Sequence, residues 1–410
     1  MSTQSVPSIL FTHRSPQHGF RLLELPPDLA ELLASDNPPT LELKSLTQSS
    51  ATAPTTTPTP EYVNLCTPTK TYSIRQVQSS NSLHILTPST GGAVRKHDLS
   101  VVGEAEEQED VDMDRNLNVE GTVTSIAKCG STLELHTPSE GFSATEFLSA
   151  VVKVYGEGAE IDDAGKWEGD VDMQSDENGN TAWILDGLFA DIPVSKAQCE
   201  RGWEEMCGFV LPPRAGEALA SAVSSYCWHP SAAKKLEVWK RIAEGSVLQG
   251  IDLGKQFLVR DLWKSVLDDD GNEPFPMPLF KAVVGRIRGS GDGVIGDLKW
   301  ASIDKDGCVR WVGETYLEAT APGASSAISE GELLDAWRDQ LPESWRDNVS
   351  LSILPETCYM HPEPKSICFA TEADRQKVKK NLPTDTSAAT AAKKTRNWHE
   401  LFKNQKRQKR

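Results

Sequence analysis

Between Glu61 and Leu86 the chain reads EYVNLCTPTKTYSIRQVQSSNSLHIL, and this stretch limits the fold more than any other. YVNLC alternates as a strand, TPTK supplies a turn, and TYSIRQV alternates again, so the pair forms a hairpin. SNSLHIL reads as a further strand. Upstream, FRLLEL is a strand stopped by Pro26-Pro27, DLAELLA is a short helix capped by Asp28, and LELKSL is a second strand. Downstream, NVEGTVTSIAK (118–128) and STLELHTP (131–138) return to strand alternation. Residues 20–138 therefore hold about six short strands around one small helix. Few are long enough to close a sheet alone, and unpaired strand edges must be covered. A partial β-barrel completed by partner chains is the physical reading.

The rest of the chain follows a different period. FSATEFLSAVVKVY (142–155) places Phe147, Leu148, Val151, Val152 and Tyr155 at helical spacing. From Thr181 onward helices dominate, with short strands between them. SKAQCERGWEEMC, LASAVSSYCW, KLEVWKRIAE, GKQFLVRDLWKSVL and PLFKAVVGRIRG read as helices, and GFVLPP as a short strand. KWASIDKDGCVRWV (299–312) reads as two strands joined by Asp306-Gly307, the wing of a winged helix. ISEGELLDAWRDQL reads as a helix with Ser329 as N-cap and Glu332 completing a capping box. ETCYM and KSICFA then form a hairpin across HPEP. The element order of the two units rhymes without a fixed-period repeat.

The expected class is therefore α+β and multidomain. Residues 1–19 are a disordered leader, and 20–138 are the assembly domain with loops at 47–60 and 87–117. Residues 139–180 are a helix and acidic linker, 181–312 a winged-helix-like region, and 313–371 a second such domain. A polar linker and basic tail, 372–410, close the chain.

With 59 acidic against 42 basic residues the net charge is −17, so any nucleic-acid contact must come from a local basic face. No run of about 18 apolar residues suggests a membrane span, and the N-terminus has no secretory pattern. Eight cysteines without a C-x-x-C pair read as reduced core thiols, with no metal site. A phosphate-binding P-loop, G-x-S-x-G and H-E-x-x-H are all missing, so the expectation is a chain with no catalytic residues and no cofactor. Asp268-Asp269-Asp270-Gly271 and Asp304-Lys305-Asp306-Gly307 lack full calcium-loop spacing and read as turns.

FRLLELPPDLAELL, LELK, Leu65-Cys66-Thr67, Lys70-Thr71-Tyr72 and Ser80-Asn81-Ser82-Leu83 together resemble the Dcc family of sister chromatid cohesion proteins. The likeness continues through Thr132-Leu133-Glu134-Leu135, IPVSKAQCERGWEEM and ELLDAWRDQLPES. It implies an accessory subunit of the alternative, Ctf-type clamp loader of replication factor C. Such a subunit joins the large and small Ctf subunits in a composite β-barrel and carries winged-helix domains. It docks on polymerase epsilon, contacts DNA, and serves a loader that acts on PCNA in the nucleus. Family members usually carry one more winged helix after ELLDAWRDQLPES. Here a polar linker and basic tail follow instead.

Two site expectations follow. Leu65, Tyr72, Ile74, Asn81, Leu83 and Ile85 are assigned to partner assembly, against the reading of plain sheet core. Lys281, Arg286, Arg288, Lys299, Lys305 and Arg310 are assigned to DNA, against the reading of a solvated charged face. The tail 393–410, with Trp398, Leu401 and Phe402 at helical spacing, reads as a nuclear import signal, a DNA arm or a partner peptide. The competing function is a stand-alone winged-helix DNA-binding regulator, which would not need an incomplete barrel.

Overall fold

The computed structural model describes residues 11–13, 16–45, 63–88, 123–138, 141–156, 177–211, 223–267, 271–289, 298–371 and 374. The loops at 47–60 and 104–114, the Gly-rich segment after Gly289 up to Asp297, and the basic tail lie outside them. The fold is mixed α+β with several small sheets, and no closed barrel occurs among the described residues. Two compact units share the chain. The first takes residues 1–152, 179–205 and 213–226; the second takes 153–178, 206–212 and 227–410.

The first unit is built on one six-stranded sheet. Its strands are β1 (Phe11–His13), β2 (Leu22–Glu24), β3 (Glu42–Ser45), β4 (Val63–Cys66), β5 (Thr71–Pro88) and β6 (Val123–His136). The order is β1-β6-β5-β4-β3, and β2 also pairs with β6. The predicted hairpin is present, with Leu65 opposite Tyr72 and Cys66 opposite Thr71. Two expectations change. TYSIRQV and SNSLHIL are one 18-residue strand, with a register irregularity between Gln78 and Leu83. The segments around Ala127 and Leu133 likewise merge into the 14-residue β6. A bulge lets a ladder continue through an interruption that alternation alone reads as a strand end.

Helix α1 (Pro27–Leu33) drives Leu29 into a core with Leu65 and Tyr72, flanked by Leu33, Leu41, Ile74 and Leu135. Asp28 does not cap it. Pro27 occupies the first turn, the cap falls on Pro26 with no side-chain bond, and Asp28 is left inside the helix facing the hairpin. Helix α2 is short, Thr145–Val151. The predicted helix to Tyr155 ends early, because Val152 turns extended and Lys153–Tyr155 joins a sheet. Helices α3 (Glu177–Ala190) and α4 (Lys196–Glu205) complete the unit.

The second unit starts with β7 (Lys153–Tyr155), β8 (Phe209–Val210) and β9 (Cys227–Pro230), in the order β7-β9-β8. LASAVSSYCW, expected as a helix, is a 3₁₀ turn over Val223–Tyr226 that runs into β9 where it is described. Helix α5 (Ala232–Gln249) begins where Ser231 Oγ accepts from the Lys234 amide and ends at Gly250, whose φ of 62° is left-handed. Then follow β10 (Phe257–Leu258), α6 (Val259–Val266), α7 (Met277–Ile287) and β11 (Trp300–Ala301), with β10 antiparallel to β11. GKQFLVRDLWKSVL is thus a strand feeding a helix.

The expected wing at 299–312 is overturned. Only Trp300–Ala301 is strand there, and α8 (Lys305–Thr320) starts immediately after. Asp304 caps it by accepting from the Gly307 amide at 3.1 Å. Cys308, Val309, Trp311, Val312 and Thr315 are buried at helical spacing. Asp-Lys-Asp-Gly was a helix start, and its turn chemistry mimicked a hairpin.

The last elements are β12 (Ile328–Ser329), α9 (Glu330–Asp339), β13 (Tyr359–Met360) and β14 (Ser366–Phe369), with sheet order β12-β14-β13. Ser329 caps α9 as expected, accepting from the Glu332 amide at 3.2 Å. The hairpin across HPEP is formed. The unit's core gathers Trp239, Leu262, Phe280, Val283 and Trp337, and Trp239 stacks on Trp345 at 6.3 Å. All eight cysteines are free and buried.

Candidate assembly face of the sheet unit

The hairpin β4–β5 is held from both sides. On one side, Asp28 accepts from Lys70 Nζ at 2.6 Å and from the Tyr72 hydroxyl at 2.9 Å. The lysine bond, then the tyrosine bond, hold the Asp28 carboxyl below its ordinary value. The same lysine bond raises Lys70, while burial chiefly raises Tyr72. The turn closes on itself, because Thr67 Oγ1 donates to Lys70 O and accepts from the Thr69 and Lys70 amides.

On the other side sits the connection between α3 and α4. Thr71 Oγ1 accepts from the Ser195 amide at 2.7 Å and donates to Gln198 Oε1 at 2.5 Å. Asn64 Nδ2 donates to Pro193 O at 2.8 Å. Lys44 Nζ donates to Phe189 O, in the last turn of α3, and to Val194 O, in the connection before α4. Asn64, Thr71 and Ser195 are fully buried. These partners lie more than 120 residues away in sequence, so a local reading missed them.

The six assembly residues therefore split. Leu65 and Tyr72 are 5% and 3% exposed, and Ile74 packs against the same core. They hold the unit together. Asn81 lies within the irregularity between Gln78 and Leu83, and Leu83 and Ile85 lie beyond it, on a ribbon made by the far halves of β5 and β6. Leu83 is opposite Cys129 and Ile85 opposite Ala127, so these four share one face. Leu83 and Leu86 are 47% and 45% exposed, and Phe11 and Phe20, also exposed, come from segments that run beside β6.

The edge matters equally. On its β4 side, β5 is paired at Thr71, Tyr72 and Ser73. Among the described strands none pairs with that side from Ile74 to Pro88. An exposed ladder with leucines alongside is a template for strand addition.

The basic residues fall on or beside three elements. Lys281 and Arg286 lie on α7, Arg288 just after it, Lys299 beside β11, and Lys305 and Arg310 on α8. Lys305 Nζ donates to Ser344 O, and Arg310 faces Glu314 at 3.8 Å. Arg288 and Lys299 each hold an interaction. Arg286 Nε is buried with no acceptor. With the wing gone, Lys305 and Arg310 sit on a helix face.

Among the described residues no cluster of side chains could hold a metal, and no helix is long and apolar enough to cross a membrane. No curated protein matches the chain. The family model described as sister chromatid cohesion protein Dcc1 matches residues 20–387, nearly the whole chain and both units. That span takes in the hairpin, its clamp on α1 and on the α3–α4 connection, and the helical second unit. The chain belongs to the Dcc1 family of sister chromatid cohesion proteins.

Proposed function

We propose that this chain is a non-catalytic subunit of the Ctf-type replication factor C complex, working in the nucleus on the loading or unloading of PCNA. The large and small Ctf subunits add strands to the open β5 edge and cover the Leu83–Leu86 ribbon, completing a barrel. The observation that carries this reading is β5 itself, an 18-residue strand whose β4-side partner spans three of its residues. The energy for opening the clamp comes from ATP on other chains. In the second unit, helix, strand and helix recur in order at α5-β10-α6 and α8-β12-α9, each strand running directly into the following helix. That order supports winged-helix domains directed at polymerase epsilon and DNA. A stand-alone DNA-binding regulator would leave the ribbon without a purpose.

The test is co-purification of the full chain with the small Ctf subunit and the C-terminal segment of the large one. Leu83→Asp with Leu86→Asp should abolish capture while the chain stays folded by circular dichroism. Tyr72→Phe, a core change, should keep it. Capture by the double aspartate variant at wild-type yield sinks the reading.

A further inference from the structure

The chain contains six Ser/Thr-Pro dipeptides, at Ser15, Thr57, Thr59, Thr67, Thr87 and Thr137, and none after Pro138. Such dipeptides are the minimal acceptors of proline-directed kinases. Three lie on described residues, and the fold treats them differently. Thr67 is buried, and its hydroxyl is engaged in the hairpin turn. Thr137 is exposed just beyond β6. Thr87 is half-buried near the end of β5, opposite Thr124. Pro88, the last residue of the strand, lacks an amide donor, so the ladder weakens there.

The placement of Thr87 is what counts. A second register shift falls between Ile85 and Leu86, where β6 carries the extra residue, Ile126. The unbulged strand β5 keeps its alternation, so Leu83, Ile85 and Thr87 fall on the same face, with Thr87 about 7 Å from Ile85 by strand rise. A phosphothreonine carries about −1.5 to −2 charges near neutral pH. On an apolar face that a partner must desolvate, such a group opposes docking strongly.

We propose that Thr87 is a phosphoacceptor for a proline-directed kinase, and that its phosphate blocks the assembly face. The inference rests on the assembly reading above. In the transfer, Thr87 Oγ attacks the γ-phosphorus of ATP, its proton passes to the base of the kinase, and ADP leaves. The assembled complex covers the acceptor, so modification acts on the unassembled chain and partner binding protects against it.

The test incubates the purified full chain with a cyclin-dependent kinase, its cyclin and ATP, then maps phosphate by mass spectrometry. Capture by the two Ctf subunits is measured on the same samples. Phosphate at Thr87 and at least a tenfold loss of capture are expected, with both effects removed by Thr87→Ala. Thr87→Glu should mimic the loss, and Thr137→Glu should not. A chain phosphorylated at Thr87 that still captures its partners at wild-type affinity overturns the proposal, as does a Thr87 left unmodified when Thr137 is modified. Failure of the untreated chain to capture partners overturns the assembly reading instead, and the mass shift at Thr87 distinguishes the two failures.

Discussion

Replacing Thr71 with valine isolates the contact that joins the hairpin to the α3–α4 connection. Valine has nearly the shape of threonine, so packing is preserved and only the hydroxyl is lost. The Ser195 amide then keeps only a 3.4 Å contact with Gln198 Oε1, and that oxygen loses one of its donors. Ser195 and Thr71 are both fully buried, so water cannot compensate. A buried donor left without a good acceptor costs about 1–3 kcal/mol. The expected loss is about 2 kcal/mol, or about 30-fold in the opening equilibrium. Amide exchange on the full chain reads this unit by unit. Exchange of β4 and α4 amides should accelerate about 10- to 100-fold, while α5 in the second unit stays unchanged. Rates in β4 and α4 within about threefold of wild type would refute the claim that this polar clamp stabilises the sheet unit.

Two further changes test other contacts. A methyl group at Gly313 would collide with Trp337 Cε2 and Cζ2, in a ring whose Nε1 donates to Val309 O at 2.9 Å. Gly313→Ala should cost about 1–3 kcal/mol by overpacking; an unchanged urea midpoint for the second unit would show that α8 and α9 separate freely. Asp28→Asn tests the charge at the helix–hairpin contact. The Asp28 carboxyl is depressed by Lys70 and Tyr72, so its contribution is present above the ordinary carboxylate value near pH 4 and lost as pH falls through the lower folded value. The variant should melt below wild type at pH 7, and the gap should close in acid. A gap that persists at pH 2 would mean the ionised carboxylate is not what stabilises the contact.

The legible parts of the fold were those whose signal is local. The β4–β5 hairpin, the Ser329 cap and the strands flanking HPEP each follow from a few adjacent residues, and each is present. The failures share a cause. Alternation cannot register a bulge, so it splits β5 at QSSNS. Turn chemistry is shared between hairpins and helix starts, so 299–312 reads as a wing joined at Asp306-Gly307, although Cys308, Val309, Trp311 and Val312 carry a helical period. At Val152 the helix yielded to a strand whose partner, β9, lies about 75 residues on, and local propensity says nothing of such pairing.

The site was less legible than the fold, for a reason visible in the motif. Thr67, Lys70, Thr71 and Tyr72 are spent inside the unit: on the turn, on Asp28 and on Ser195 and Gln198. They carry the resemblance read in the sequence and they build this chain's hairpin, and that says little about what the hairpin meets. On the proposed reading the residues that meet a partner are Leu83, Ile85 and Leu86, whose types match those of any buried strand. Only the lack of a neighbouring strand among the described residues, and the exposure of Leu83 and Leu86, separate the two cases. The polar clamp carries a second consequence. A fragment ending near residue 140 keeps every strand of the large sheet but discards Pro193, Ser195 and Gln198, and so removes the Asn64 Nδ2 acceptor and leaves Thr71 Oγ1 only the Cys66 thiol. Insolubility of such a fragment would report this internal loss as readily as a missing Ctf subunit. The assembly question therefore has to be put to the whole chain, with substitutions on the ribbon set against substitutions in the clamp.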